Sequence, residues 1–183
     1  DHRLPLDGGD LDGDLLKDAE ELAAGYNLYN ADQDDDLTAD GIELAGQCAR
    51  AIDSLPVFDP NGPEIHALYK VSFMQRGLET CDICGTTVNM GYWQITNLKR
   101  GLSIDVPVLS LHYMGHGSFN YAGDVHGKGR ADVALLVKIL EMPRRCGDLG
   151  TIYLPSDANK DCRVDSADFL ELVERWLEDA DAD

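Results

Sequence analysis

HALYKVSFMQRGLETCDICGTTVNMGYWQIT, residues 66–96, holds two β-rich runs on either side of a CxxC. In the first, HALYKVSFM, strict alternation puts Ala67, Tyr69, Val71 and Phe73 on one side. The second, TTVNMGYWQIT, is rich in β-branched and aromatic residues, so both predict strands. CDICG then falls in the tight connection between them, and Gly85 after the second cysteine leaves the backbone free to fold around a ligand. Further on, LSIDVPVLSLHYM, residues 102–114, predicts a third strand, with NLKRG, residues 97–101, as the intervening hairpin turn. RADVALLVKILEM predicts a covering helix with Val133, Leu136, Val137 and Leu140 on its buried stripe.

Outward from this middle, the composition changes. Residues 1–43 hold 14 acidic and 2 basic side chains, residues 157–183 hold 10 and 3, and residues 44–156 hold 10 of each. The formal net charge of −19 therefore comes from the two ends. Binding to nucleic acid or an anionic membrane surface is disfavoured, because phosphate recognition needs basic charge; cations are the natural partners. No run reaches the length of a membrane span, and the start lacks a charged and apolar leader, which fits a mature secreted chain or a cytosolic one.

Acid runs are commonly solvated tails, so spacing has to decide. A twelve-residue calcium loop delivers oxygens from positions 1, 3, 5, 7, 9 and 12, position 7 through its backbone carbonyl. DLDGDLLKDAEE supplies Asp10, Asp12, Asp14, Leu16, Asp18 and Glu21 in those places. Twenty-two residues later DQDDDLTADGIE supplies Asp32, Asp34, Asp36, Thr38, Asp40 and Glu43. At the far end DANKDCRVDSAD supplies Asp157, Asn159, Asp161, Arg163, Asp165 and Asp168. About three calcium ions are expected. Position 6, where a sharp turn favours glycine, is occupied by Leu15, Leu37 and Cys162.

Each loop runs into a helical pattern. Phe169, Leu172, Val173, Trp176 and Leu177 form a stripe after the third, and Ile42, Leu44, Ala45, Cys48, Ala49 and Ile52 one after the second. The expected fold is α+β: a small antiparallel sheet with a covering helix, flanked by calcium loop–helix segments at both ends. The expected organisation is 1–54, 55–145 and 146–183.

The third loop and its helix, DANKDCRVDSADFLELVERWL, resemble one repeat of a type I dockerin, with a short Asp at position 12 and Val before the Asp at position 9. That resemblance, over residues 155–178, implies calcium and a secreted bacterial origin. The two N-terminal loops are more similar to the acidic calcium repeats of thrombospondin type 3, spacers in bacterial surface proteins.

The five cysteines follow from that setting. An oxidising compartment favours disulfides, and a Cys146–Cys162 bond would close the entry to the third loop. Cys48 lies on an apolar helix face and reads as core. Cys81 and Cys84 have two main readings: a plain disulfide, or a structural zinc site completed by His112 and His116 of LHYMGHG. Haem attachment would need a histidine where Gly85 stands, and a redox dithiol would need a helix start in a βαβ unit. In HxxxH, Tyr113 occupies the place of a zinc protease's glutamate base. A three-histidine site of His112, His116 and His126 is the alternative, serving a small secreted metalloenzyme or a ligand-binding module, and His66 reads as structural. The sequence thus leads to a secreted calcium-binding structural or interaction protein, more naturally not an enzyme. Its calcium-stiffened ends are expected to self-associate, or to meet other extracellular proteins, in a filament or surface assembly.

Overall fold

The computed structural model describes residues 9–33, 36–62, 66–123, 127–142 and 169–170. In chain order the elements are α1 (Asp18–Ala24), α2 (Asp40–Ser54), β1 (Leu68–Thr80), β2 (Thr87–Asn97), β3 (Leu102–Pro107), α3 (Val108–Met114), β4 (Asn120–Gly123), β5 (Gly127–Arg130) and α4 (Val133–Leu140). β1, β2 and β3 form an antiparallel sheet in that order, and β4 and β5 a separate antiparallel pair. Lys70 faces Ile95 and Ile95 faces Ile104, with a register shift between Met74 and Leu78. The α+β class expected from the alternation is the class observed. CDICG does connect β1 to β2.

One buried cluster joins the N-terminal repeats to the sheet. It contains Leu16 and Tyr26 near α1, Leu44, Cys48 and Ile52 of α2, Ile95 and Val106 of the sheet, Met114 of α3, and Leu136 and Ile139 of α4. Burying aliphatic side chains of this size is worth about 1.5–3 kcal/mol each against leaving them in water. Loop 1 is therefore anchored by its own position 7, since the Leu16 side chain is fully buried in this core. Cys48 is a free, buried thiol whose pKa burial pushes up to about 12, which fits its reading as a small hydrophobe.

Four details differ from the sequence expectations. LSIDVPVLSLHYM is not one strand: β3 ends at Pro107, which caps α3 with φ −53 and ψ 141. Periodicity alone does not separate a short apolar strand from a buried helix, and here Leu109 with Tyr113, and Leu111 with Met114, recur at helical spacing. On α4 the buried residues are Val133, Leu136, Ile139 and Leu140, with Val137 half-buried. His66 is exposed and precedes β1. In β1 the inward side chain near α2 is Lys70, only 6% exposed, while Phe73 is exposed. The Lys70 ammonium donates to the carbonyls of Ile52 (2.8 Å) and Asp53 (2.9 Å), which end α2, and lies 4.9 Å over the Trp93 ring. Three partners thus compensate the burial of one charge.

Candidate metal centres

Loop 1 folds each carboxylate around the loop's own backbone. Gly13 N–H donates to Asp10 Oδ1 (2.7 Å), Asp14 N–H to Asp12 Oδ1 (3.3 Å) and Leu16 N–H to Asp14 Oδ1 (2.7 Å). One carboxylate oxygen from each of Asp10, Asp12 and Asp14 lies within 4.8 Å of the other two. Leu15 at position 6 adopts φ 80, the left-handed turn that glycine usually supplies there, with its side chain half exposed.

Glu21, at position 12, is fully buried, and neither carboxylate oxygen has a hydrogen-bond partner among the described residues. Burial first, then the charges of Asp12, Asp14, Asp18 and Asp10, raise its pKa to about 8. Asp14, also fully buried, is raised to about 6 chiefly by burial. A buried carboxylate facing other carboxylates without a donor is costly unless a cation joins it. Its helical position explains how it arrives there: α1 starts at Asp18, and one turn brings Glu21 back over the loop.

Loop 2 repeats the construction. In both, the N–H of position 7 donates to the position 5 carboxylate: Leu16 to Asp14 (2.7 Å) and Thr38 to Asp36 (2.8 Å). In both, the N–H of position 2 donates to position 9: Leu11 to Asp18 (3.0 Å) and Gln33 to Asp40 (3.3 Å). In both, the N–H of position 9 donates to the carbonyl before the loop: Asp18 to Gly9 (3.1 Å) and Asp40 to Ala31 (3.0 Å). Leu37 repeats the left-handed turn with φ 75. Asp32 accepts from Asp36 and Leu37 N–H, and Asp40, 2% exposed, is raised to about 7 mainly by burial. Glu43 stands in the first turn of α2. Asp34 lies outside the described residues, as do Asp157, Asn159, Asp161, Arg163, Asp165 and Asp168 of the third loop, Cys146, Cys162 and His126; Phe169 and Leu170 just after that loop are helical.

The second centre is of another kind. Cys81, Cys84, His112 and His116 bring one ligand atom each to within 4.8 Å of all the others. Cys84 Sγ is 3.2 Å from His112 Nε2, and His112 Nε2 is 3.2 Å from His116 Nε2. His112 lies in the last turn of α3 and His116 in the turn just after it, held by His116 N–H to Tyr113 O (2.9 Å), so one turn of chain brings the two rings together. The cysteine turn is closed by Gly85 N–H to Cys81 O (2.8 Å) and Cys81 N–H to Thr86 O (2.9 Å), with Gly85 at φ 71. Both thiols are free rather than bonded to each other. The Thr86 hydroxyl and N–H, then His112 and His116, hold the Cys84 thiol down at about 5, so it is a thiolate at neutral pH.

Sequence reasoning missed three supporting residues. Tyr113 packs on Cys81, accepts from Asp82 N–H (3.0 Å) between the two cysteines, and donates to Ala122 O (2.9 Å). Arg130 donates to Glu20 (Nε to Oε1, 2.9 Å, and Nη2 to Oε2) and to the Leu15 carbonyl (3.0 Å), pinning the left-handed residue of loop 1. Gly41 meets loop 1 so closely that a Cβ there would lie 2.5 Å from the Asp14 carbonyl oxygen. The only hint of the first is that Tyr113 lies between the two histidines in the sequence. No helix among the described residues is long and apolar enough to cross a membrane. No protein-family model, curated protein or solved structure matches the chain.

Proposed function

We propose that the protein is an extracellular structural or interaction module whose fold is fixed by two classes of metal ion, calcium in the acidic loops and zinc in the Cys/His cluster. The observation that carries this reading is Glu21: a fully buried carboxylate, at the twelfth position of a loop that gathers three aspartates, with no donor for either oxygen among the described residues. A hard divalent cation with six to eight oxygen ligands answers that arrangement. Millimolar calcium outside cells suits such loops.

Zinc is favoured at the other centre by softness and by distance. Zn–N bonds near 2.0–2.1 Å and Zn–S bonds near 2.3 Å require tetrahedral edges of roughly 3.3 Å for N···N and roughly 3.5 Å for N···S. The 3.2 Å separations of Cys84, His112 and His116 are close to both. Four protein ligands leave no open position, so the zinc would be structural and not catalytic. An interaction role is supported by β1, an edge strand of the described sheet, which Val57 covers at Lys70 but which exposes Phe73, Met74 and Leu78 further along. Uncovered edges invite pairing with another chain, the basis for an extracellular assembly.

Isothermal titration of metal-stripped protein tests the reading: calcium binding at several sites plus one tight zinc site supports it, and no calcium binding at millimolar concentration refutes it. Sedimentation across a concentration range, with and without calcium, tests assembly, and a monomer under every condition refutes that part.

A further inference from the structure

We infer that the two kinds of centre are linked: cation binding in the acidic loops tightens the hold of the Cys/His cluster on its own metal, with Arg130 and Ile42 as the positioning residues. This rests on the proposal above that both are metal sites. The contacts form two separate routes, one from each loop.

From loop 1 the route begins at the Leu15 carbonyl, which accepts from Arg130 Nη2. Arg130 ends β5 and pairs with Asn120 at the start of β4, whose side chain also accepts from Arg130 Nη1 (3.1 Å). Two residues along β4, the Ala122 carbonyl accepts from the Tyr113 hydroxyl, and that hydroxyl accepts from Asp82 N–H inside the CxxC turn. Every step is a hydrogen bond or a strand pairing, so displacement of loop 1 is felt at the cysteine turn.

From loop 2 the route is steric. Gly41 rests against the Asp14 backbone, Glu43 is the twelfth position, and Ile42 lies between them. Gly117 packs on Ile42 so tightly that a Cβ there would lie 2.6 Å from Ile42 Cγ2. Gly117 follows His116 directly, in a turn held by His116 N–H to Tyr113 O (2.9 Å) and Gly117 N–H to Met114 O (2.9 Å). The first turn of α2 thus backs the second histidine.

An unoccupied loop gathers carboxylates with no cation to separate them, and relief comes from opening the loop. Opening releases Arg130 and moves the start of α2, so both halves of the cluster lose support. A bound cation keeps the loops closed and the four ligands in place. Linkage is reciprocal, so metal in the cluster must raise calcium affinity by the same factor.

The test uses the full chain loaded with zinc, freed of calcium by dialysis. The equilibrium transfer of zinc to a chromophoric zinc chelator is measured with and without calcium, and calcium affinity is measured with and without zinc. Calcium should raise the zinc affinity read from that competition by about tenfold, and zinc should raise calcium affinity by the same factor. Ile42→Ala and Arg130→Gln should each still bind both metals while moving both ratios towards one; Arg130→Lys should recover part of the effect. Calcium and zinc both bound, with transfer unchanged and calcium affinity indifferent to zinc, would overturn the linkage and leave the metal reading intact. Failure to bind calcium at all would overturn both.

Discussion

Loop 1 and the Cys/His cluster each gather groups that could hold a cation, and they do so from opposite directions. In loop 1 every ligand comes from one run of twelve residues, and the backbone N–H groups of that run orient the carboxylates. In the cluster the ligands come from two places 28 residues apart, Cys84 and His112, and meet only because β3 ends at Pro107 and turns into α3. The loops are hard, anionic and mutually repelling; the cluster is soft, compact and braced by Tyr113. A local site is written in spacing, and a non-local one in topology.

The difference is widest if the cluster is dismantled. Replacing Cys81 and Cys84 together by serine should abolish zinc binding and lower stability by about 4 kcal/mol or more, because a structural metal contributes folding energy outright. Denaturant unfolding with zinc present checks this, and a loss under 1 kcal/mol would make the cluster dispensable to the fold.

Glu21→Gln should separate charge from coordination in loop 1. Without metal the variant should be the more stable protein, since an amide replaces a buried, repelled carboxylate; with calcium it should bind loop 1 at least about tenfold more weakly. Calcium titration and thermal unfolding of both forms give the two signs. Unchanged affinity would remove Glu21 from the ligand set.

Proton linkage sharpens the contrast further. The folded, metal-free Glu21 is raised from 4.5 to about 8, and Asp14 and Asp40 are raised in the same direction to about 6 and about 7. These groups bind more protons folded than unfolded, so their contribution is fully present below the unfolded values and is lost as pH rises through the folded ones. Metal-free protein should therefore lose thermal stability between pH 4.5 and 8. Calcium must displace those protons, so its affinity should climb over the same window. A calcium affinity flat across that window would contradict the crowding of these carboxylates.

Much of this was legible beforehand for the loops and little of it for their surroundings. Alternating aspartates named the ligands of loop 1, and the structure brings Asp10, Asp12 and Asp14 together. The cysteine and histidine spacings named the four residues of the cluster, with the histidines expected just beyond the third strand; that His112 lies on α3 was not legible, because a short apolar run does not separate strand from helix. Lys70 under α2, Tyr113 against Cys81 and Arg130 on Leu15 were invisible because each is fixed by a partner distant in sequence. Leu15 and Leu37 at position 6 counted against ordinary calcium loops, but both adopt the left-handed conformation. Their side chains face outward, so the backbone cost is not compounded by a clash in the core.

That cost gives the smallest effect. Leu37→Gly, at φ 75 with a side chain 95% exposed, should raise stability in calcium by about 1 kcal/mol, the left-handed penalty of a leucine. Thermal unfolding in calcium checks it, and a destabilised variant would mean that the turn is not strained.

The claim that two unlike metals hold one small fold is tested most directly by zinc-edge X-ray absorption on protein purified in calcium, with the bound metals counted by elemental analysis. The expected result is one zinc per chain with two sulfur neighbours near 2.3 Å and two nitrogens near 2.0–2.1 Å, alongside two or more calcium ions. Protein containing no zinc, with Cys81 and Cys84 joined as a disulfide, would contradict it.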